Sequence, residues 1–142
     1  MVLLDTDHLS VMEWQGSPGA VQIRRHLEQH QPEEVGTTIV NFEEKMRGWM
    51  AVLAKARKVK DQVDAYRRLS HQLRIFRSVA IIAEFDENAA VEFQRLKQKY
   101  PRMGTMDLRI ASIALTQRAI LVSRSESDFG QIVGLNLEDW TQ

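Results

Sequence analysis

Apolar positions along the chain follow two patterns that alternate from one end to the other. Short apolar runs of high β-propensity predict buried strands, and longer segments with apolar residues three or four positions apart predict amphipathic helices. The predicted strands are Val2–Leu4, Val35–Val40, Ser78–Phe85, Ala119–Ser123 and Leu135–Leu137. The predicted helical segments are Thr6 or Asp7 to about Trp14, Ala20–Gln29, 42–74 as one or two long helices, a helix capped by Asp86 that runs to about Lys99, Thr105–Gln117, and a short turn at Asp128–Val133.

The order of these elements predicts the fold class. Short apolar strands that alternate with helices indicate an α/β architecture, with a parallel sheet covered by helices on both faces. Reactive groups in such sheets lie just beyond the carboxyl ends of strands, and Asp5 directly follows the first predicted strand. The chain has 142 residues without an internal repeat or a linker, which predicts a single domain over residues 1–142.

Glycine, proline and asparagine mark two predicted boundaries. The sequence Gly-Ser-Pro-Gly at 16–19 predicts a turn before the second helix. Asn41 is the predicted N-cap of the long helical segment, because a short polar side chain there can accept a hydrogen bond from the first helical turn.

The composition excludes several kinds of site. The chain has no cysteine, which excludes a disulfide framework, a thiolate zinc site and a cysteine nucleophile, and fits a reducing, cytoplasmic setting. Its first residues lack the basic flank and apolar run of a signal peptide, and no stretch reaches the roughly 18 apolar residues of a membrane span. We therefore expect a soluble, cytoplasmic protein.

The net charge is zero, but the charges are unevenly distributed. Residues 45–77 contain ten basic and two acidic residues, which leaves nine basic and 17 acidic residues elsewhere. A basic segment beside an acidic remainder suits a polyanion that approaches a carboxylate-lined centre. The alternative is a solvated helical face without a ligand.

Several acidic residues lie where an apolar element ends or a helix begins. Asp5 ends a buried strand, where a lone carboxylate needs compensation, either from a ligand or by capping the next helix. Glu44 lies three residues after Asn41, which is also the spacing of a capping box, and Glu43 could equally be a first-turn acid. Gly48 lies inside the predicted helix, at a cost of about 1 kcal/mol relative to alanine, and suggests close approach by another segment.

Two further acids complete the candidate set. Asp107 begins the most apolar predicted helix, which places it at the rim of a buried element, although the helix dipole alone would also stabilise an acid there. Asp128 follows a predicted strand, and Thr6, Ser123 and Ser125 could support these carboxylates with hydrogen bonds. Converging carboxylates repel one another unless a cation neutralises them, and oxygen ligands favour Mg²⁺ or Mn²⁺. The set therefore predicts a divalent-metal nuclease site.

The histidines are not needed for this site. His8 is predicted to have a structural or hydrogen-bonding role, with a role as ligand or base as the alternative. His26, His30 and His71 are predicted to lie on helix surfaces. The sequence contains no phosphate-binding glycine loop, serine elbow or zinc-protease helix.

Together these motifs resemble a known family, the PIN-domain ribonucleases, and within it the VapC-type toxins of bacterial toxin–antitoxin pairs. The motifs that carry the resemblance are Leu4–Ser10, Glu44 with Gly48, Gly104–Ala111, Leu121–Ser123, Asp128 with Phe129, and the ending Gly134–Trp140. Ser123 and Ser125 stand where the family commonly has threonine and then asparagine or aspartate.

The resemblance implies a PIN-like three-layer domain with a parallel five-stranded sheet flanked by helices. It implies that Asp5 and Asp107 bind the principal Mg²⁺, and that Glu44 and Asp128 contact this ion through water or help to hold a second one. The implied activity is hydrolysis of phosphodiester bonds in structured RNA, such as tRNA or rRNA, leaving a 5′-phosphate and a 3′-hydroxyl.

The resemblance and the charge pattern also predict partners. The candidate RNA contacts are Arg47, Lys55, Arg57, Lys58 and Arg109. For Arg109, a salt bridge to a neighbouring acid is an equal alternative. The amphipathic segment 42–74 and the resemblance both favour a homodimer. The resemblance further implies an antitoxin, a small DNA-binding protein whose tail enters the acidic groove.

Two other functions are consistent with parts of the sequence. The chain could be a PIN-like binding module that acts mainly in complex with a DNA-binding partner and has a weak or idle acidic site. A Mg²⁺-dependent phosphatase or a response-regulator-like domain would also use a strand-end aspartate. That class needs a lysine on a late strand, and Ala119–Ser123 contains none.

Overall fold

The computed structural model describes residues 1–13 and 15–142. Within them, strands and helices alternate along the whole chain. The elements in order are β1 (Val2–Leu4), α1 (Thr6–Met12), α2 (Pro18–Leu27), a 3₁₀ turn (Pro32–Glu34), β2 (Val35–Thr38), α3 (Ile39–Lys55), α4 (Val59–Ser78), β3 (Ile81–Ala83), α5 (Glu87–Lys99), α6 (Thr105–Thr116), β4 (Ile120–Val122), α7 (Glu126–Phe129) and β5 (Asn136–Glu138).

In the described residues, the five strands form one parallel sheet in the order β3-β2-β1-β4-β5. The first strand therefore lies at the centre, between β2 and β4. Leu4 pairs with Val122, so that Asp5 and Ser123 leave neighbouring strands side by side. This register places the end of the first strand next to the end of a strand that comes more than a hundred residues later.

The sheet is buried on both faces, which confirms the predicted three-layer α/β architecture. Side chains along β1 alternate between the faces, as the pleat of a strand requires. Leu3 belongs to a core formed with α5, α6 and α7. Val2 and Leu4 belong to the opposite core, which includes Ile23 of α2 and Phe76 of α4.

Several predicted boundaries were wrong, because side-chain caps determine where helices begin. Pro18 and Gly19 form the start of α2 instead of a turn, since the Ser17 hydroxyl accepts a hydrogen bond from the Ala20 N–H at 3.2 Å. Similarly, β2 stops at Thr38, and Asn41 is the third residue of α3 instead of its N-cap.

The other helix and strand boundaries differ by a few residues from the predicted ones. The long segment is a hairpin of two helices, α3 and α4, and Ser78 ends α4 instead of beginning a strand. The final helical turn comes earlier than predicted, at Glu126–Phe129. The predicted end of the first helix, Trp14, lies outside the described residues.

Two glycines have opposite surroundings. A Cβ atom at Gly36 in β2 would overlap the backbone oxygen of Ile81 on the neighbouring β3, so only glycine fits there. A Cβ atom at Gly48 in α3 would meet no atom of another segment within 4 Å. The predicted close approach of another segment at Gly48 was therefore wrong.

No helix in the described ranges combines the length and the apolar character needed to span a membrane.

Candidate active site

Asp5 lies at the centre of a polar cluster where β1 and β4 end. Its side chain is only 7% exposed. The Ser123 hydroxyl donates a hydrogen bond to Asp5 Oδ2 at 2.8 Å. The Ser125 N–H in turn donates to Ser123 Oγ at 3.0 Å, so the backbone of the following loop orients the serine. This places the predicted support from Ser123 directly on the carboxylate, whereas Ser125 contributes through its backbone.

Asn41 is a site residue that the sequence analysis missed. Its Nδ2 donates to Asp5 Oδ1 at 2.7 Å and to the Thr6 hydroxyl at 3.0 Å. Its Oδ1 accepts a hydrogen bond from the Thr38 hydroxyl at 2.7 Å, and the Thr38 hydroxyl accepts one from the Asn41 N–H at 3.1 Å. The three-residue spacing of Thr38 and Asn41 is a capping-box signature that could have shown this arrangement.

Burial raises the pKa of Asp5, and the nearby charge of Asp7 adds to the rise. Hydrogen bonds from Ser123, the Thr6 N–H and Asn41 oppose this rise, because they favour the charged form. The carboxylate is thus held in place by neutral donors that leave its negative charge uncompensated.

Glu44 and Asp107 approach Asp5 from two different helices. Desolvation raises the pKa of the Glu44 carboxyl, and repulsion by Asp5 and Asp107 raises it further. Desolvation likewise raises the pKa of Asp107, with repulsion by Asp5 and by Asp128. Asp128 itself lies exposed on α7. All four predicted carboxylates therefore lie around one edge of the sheet.

The alternative interpretations of Glu44 as a capping-box residue and of Glu43 as a first-turn acid were wrong. Because α3 begins at Ile39, it has no acid in its first turn. Glu43 forms an ion pair with Arg47 at 2.8 Å, one helical turn further on. Glu44 accepts a hydrogen bond from the Thr6 hydroxyl at 3.5 Å, at the long limit for such a bond. Glu44 thus contacts the start of α1, just after the carboxyl end of β1, instead of capping its own helix.

His8 has the structural role predicted for it. Its fully buried ring forms a hydrogen bond with Asp7 Oδ1 at 2.7 Å and accepts the Trp140 N–H at Nε2 at 3.0 Å. Asp7 Oδ2 accepts the Arg124 N–H at 2.9 Å. Burial opposes ionisation of Asp7, but the hydrogen bonds from His8 and Arg124 hold its pKa below the usual value. Through these hydrogen bonds, Asp7 holds the loop after β4 against α1, and His8 holds the segment around Trp140 against α1.

The other histidines are partly exposed. His26 and His30 both stack on the ring of Trp140, with centroid distances of 5.1 and 5.3 Å. His71 is 45% exposed and lies 3.8 Å from a Glu13 oxygen. These contacts lie away from the carboxylates described above.

The donor chemistry of the cluster fits a hard divalent cation. All four acids offer oxygen ligands. Each carboxylate oxygen of Asp5 accepts a hydrogen bond with one lone pair and keeps a second lone pair for a cation. A cation would also relieve the repulsion that, after desolvation, raises the pKa values of Glu44 and Asp107. Among residues 1–13 and 15–142, no three acidic or histidine side chains are already close enough together to form a complete metal site.

The predicted RNA contacts lie in two places. Lys55, Arg57 and Lys58 are exposed where α3 connects to α4. Arg47, as noted, is 73% exposed but pairs with an acid. Arg109 lies over the Phe93 ring at 5.5 Å, and within the described residues it has no carboxylate partner. The salt-bridge alternative for Arg109 was therefore wrong.

Comparison with solved structures shows the same fold in chains of VapBC and FitAcB structures. A chain of DNA-bound VapBC from Salmonella typhimurium is 18% identical, with a TM-score of 0.76 and 99% of each chain covered. A chain of VapBC2 from Rickettsia felis, bound to a DNA fragment from their promoter, is 21% identical, with a TM-score of 0.73 and 99% of each chain covered. A chain of FitAcB from Neisseria gonorrhoeae is 20% identical, with a TM-score of 0.70 and coverage of 98% and 97%.

Sequence comparison gives the family. No curated protein matches the chain at a significant level. A family model described as the PIN domain matches residues 2–135, a range that begins at β1 and takes in the ends of β1 and β4, α3 and α6. The match thus includes every element that carries a carboxylate of the cluster, and the chain belongs to the PIN-domain family.

Proposed function

We propose that this protein is a Mg²⁺-dependent endoribonuclease, the toxin of a toxin–antitoxin pair, which hydrolyses phosphodiester bonds in structured RNA such as tRNA or rRNA. The observation that supports this most strongly is the convergence of the buried, strand-end Asp5 with Glu44 and Asp107. Mn²⁺ has similar ligand preferences and is an alternative cation. RNA as substrate would place the activity in the cytoplasm.

The proposed roles are those that the resemblance to the PIN-domain family implies. Asp5 and Asp107 would hold the principal cation, and Glu44 and Asp128 would contact it through water or hold a second one. The bound cation would supply a more acidic water and would neutralise charge on the scissile phosphate. Ser123 and Asn41 would hold the Asp5 carboxylate in a fixed orientation.

The exposed basic residues would bind the RNA backbone. Lys55, Arg57 and Lys58 are the candidates for phosphate contacts, because they are exposed. Binding of this kind releases counterions, so affinity should fall steeply with salt.

The first test compares purified wild type with Asp5→Asn and Asp107→Asn on total bacterial RNA, in Mg²⁺, Mn²⁺ or EDTA. Both substitutions should abolish cleavage without unfolding the protein, because each removes a ligand charge with little change in volume. Sequencing of the cut ends would identify the substrate, and circular dichroism would check the fold. Cleavage by a folded variant that equals the wild-type rate would contradict the proposal.

A second candidate function is a binding module that acts mainly with a DNA-binding partner. It is favoured by the similarity to VapBC complexes solved with DNA. We propose that this chain also binds a small DNA-binding antitoxin. Expression without a partner separates the two functions: a nuclease should arrest growth and lose this effect on Asp5 substitution, whereas a binding module should not arrest growth at all.

We also propose a homodimer formed through α4. Val59, Val63, Tyr66 and Leu73 of this helix are 73%, 42%, 59% and 47% exposed. Their spacing places them along one side of the helix, next to its buried stripe. Such a continuous apolar strip on the surface is typical of an interface.

A further inference from the structure

A cavity lies beside the carboxylates, next to the loop that joins α5 to α6. Its volume is about 310 Å³, at the lower end of the range for ligand sites. Its lining includes Lys99, Tyr100, Arg102, Met103, Asp128 and Gln131. None of these residues except Asp128 belongs to the candidate active site, and the cavity therefore adds a distinct surface to it.

The cavity is continuous with the acidic cluster at two points. Asp128, whose charge acts on Asp107, forms part of its wall. Gly104, another wall residue, lies so close to Asp107 that a Cβ atom there would be 3.7 Å from the Asp107 Oδ2. A molecule in the cavity would therefore lie immediately next to Asp107 and Asp128.

The side chains of the cavity combine positive charge, an aromatic ring and an amide. Lys99 and Arg102 are exposed, and across the described chain neither is paired with a carboxylate. The Tyr100 hydroxyl accepts the Val133 N–H at 3.1 Å, and Lys99 Nζ lies 5.6 Å from the centre of its ring. The ring is thus held in a fixed orientation beside a cation.

This combination suits a nucleotide better than a bare anion. Single-stranded RNA is recognised by stacking of bases on aromatic rings and by hydrogen bonds to base edges, while cations hold its phosphates. The carboxylate of Asp128 would repel a free phosphate in the cavity, but it can accept hydrogen bonds from the amino group of a base. The Gln131 amide can both donate and accept.

We infer that this cavity binds the nucleotide adjacent to the scissile phosphate, in an unpaired segment of the RNA. Lys99 and Arg102 bind its phosphate, Tyr100 and Met103 contact its base, and Gln131 contacts the edge of the base. This inference rests on the proposed ribonuclease function and identifies how the substrate is positioned.

The test measures binding without cleavage. Asp5→Asn protein in EDTA is titrated with a short, fluorescein-labelled single-stranded RNA of random sequence that contains 4-thiouridine, at several salt concentrations. In this Asp5→Asn background, the added substitutions Lys99→Ala and Arg102→Ala should weaken binding about 10-fold. They should also reduce the slope of log K against log salt by about 0.7, the contribution of one neutralised phosphate on a single strand. Photocrosslinks should map to residues 99–104 and 128–131.

A matched control removes the same two residue types from the neighbouring part of α5. Arg95 and Lys97 are exposed and lie outside the cavity, so Arg95→Ala with Lys97→Ala should leave the slope and the crosslinks unchanged. The inference would be overturned if both double substitutions reduced the slope of log K against log salt equally, or if the crosslinks mapped only to other segments. Metal-dependent cleavage by wild type, measured separately, would show whether the ribonuclease proposal survives that outcome.

Discussion

At the scale of single residues, the Asp5 carboxylate is distinguished by the partners it lacks. Both of its oxygens accept hydrogen bonds from neutral groups, Asn41 Nδ2 and Ser123 Oγ, and no described cationic side chain bonds to it. Neutral donors fix the geometry of a carboxylate without cancelling its charge, which leaves the charge available to a cation. Asn41 is therefore a positioning residue in the proposed mechanism.

We expect Asn41→Ala to lower the free energy of unfolding by about 1–3 kcal/mol, because it leaves buried groups of Asp5 and Thr38 without partners. It should also raise the Mg²⁺ concentration needed for cleavage by about 10–100-fold. Denaturant unfolding and a Mg²⁺ titration measure these two effects. Asn88→Ala, which removes an exposed asparagine of α5, should change neither. An unchanged Mg²⁺ midpoint in Asn41→Ala would argue against the positioning role.

The raised pKa of Asp107 predicts a stability effect in the metal-free protein. A carboxyl group with a raised pKa binds its proton more tightly in the folded state, so stability falls as the pH rises from the ordinary pKa through the raised one. Asp107→Asn should therefore raise Tm by about 2–4 °C near pH 7, for a gain of about 0.5–1 kcal/mol after allowance for solvent screening.

Thermal unfolding in EDTA at several pH values measures this effect. The gain should shrink as the pH falls through the raised pKa of Asp107 towards the ordinary value of an aspartate, because the wild-type carboxyl then binds its proton as well. Asp61→Asn, on the exposed first turn of α4, provides the control and should give no increase in Tm. A gain for Asp107→Asn that is the same at every pH would show that ionisation of the Asp107 carboxyl is not its cause.

Sequence reasoning at this scale identified residues at the ends of elements more readily than their partners. Asp5 and Asp107 were predictable because each has a defined place, after an apolar strand or at the start of an apolar helix. The contact of Asn41 with Asp5 joins residues 36 positions apart and depends on the strand order. No local pattern contains that information, although the capping spacing of Thr38 and Asn41 was visible.

At the scale of elements, the type of each predicted segment was confirmed more often than its ends. Periodicity is a property of many residues, whereas the start of a helix depends on a single side chain. Thr38 illustrates this, because its β-branched, apolar neighbours Ile39 and Val40 continue the strand pattern into what is the first turn of α3. The helix cap at Thr38 overrides the strand propensity of the two residues that follow it.

The two contrasting glycines allow a matched test of element packing. Gly36→Ala should destabilise the protein by about 1–3 kcal/mol, because the new methyl group meets the backbone of Ile81. Gly48→Ala should stabilise it by about 0.5–1 kcal/mol, because alanine costs less backbone entropy in a helix and meets no neighbour. Chemical denaturation of both variants measures the difference. Equal effects would contradict the close packing of β2 against β3.

At the scale of the whole molecule, the uneven charge predicted from the sequence corresponds to separate regions of the fold. The basic segment 45–77 forms most of the α3–α4 hairpin, whereas the carboxylates gather at one edge of the sheet. The sequence predicted the segment but not its shape, because the break at Ala56–Lys58 that turns one helix back on the other lacks glycine and proline.

The proposed dimer predicts the effect of a charge on α4. Val63→Glu should shift the protein from dimer to monomer, because it buries an unpaired charge in the apolar strip. Asp64→Lys changes the charge one residue further on, about 100° around the helix, and should leave the dimer intact. Sedimentation velocity over a range of concentrations distinguishes these states. A wild-type protein that is monomeric throughout would contradict the dimer.

The position of β1 at the centre of the sheet has a consequence for synthesis of the protein. Asp5 leaves the ribosome well before Ser123, which holds it and lies 118 residues later, and the His8 contact is with Trp140, 132 residues after it. The cluster cannot be complete until β4 has emerged and inserted beside β1. A nascent chain that has not yet added β4 would therefore lack the proposed site, so the ribonuclease activity that we propose could not act on the RNAs of the ribosome that is making it.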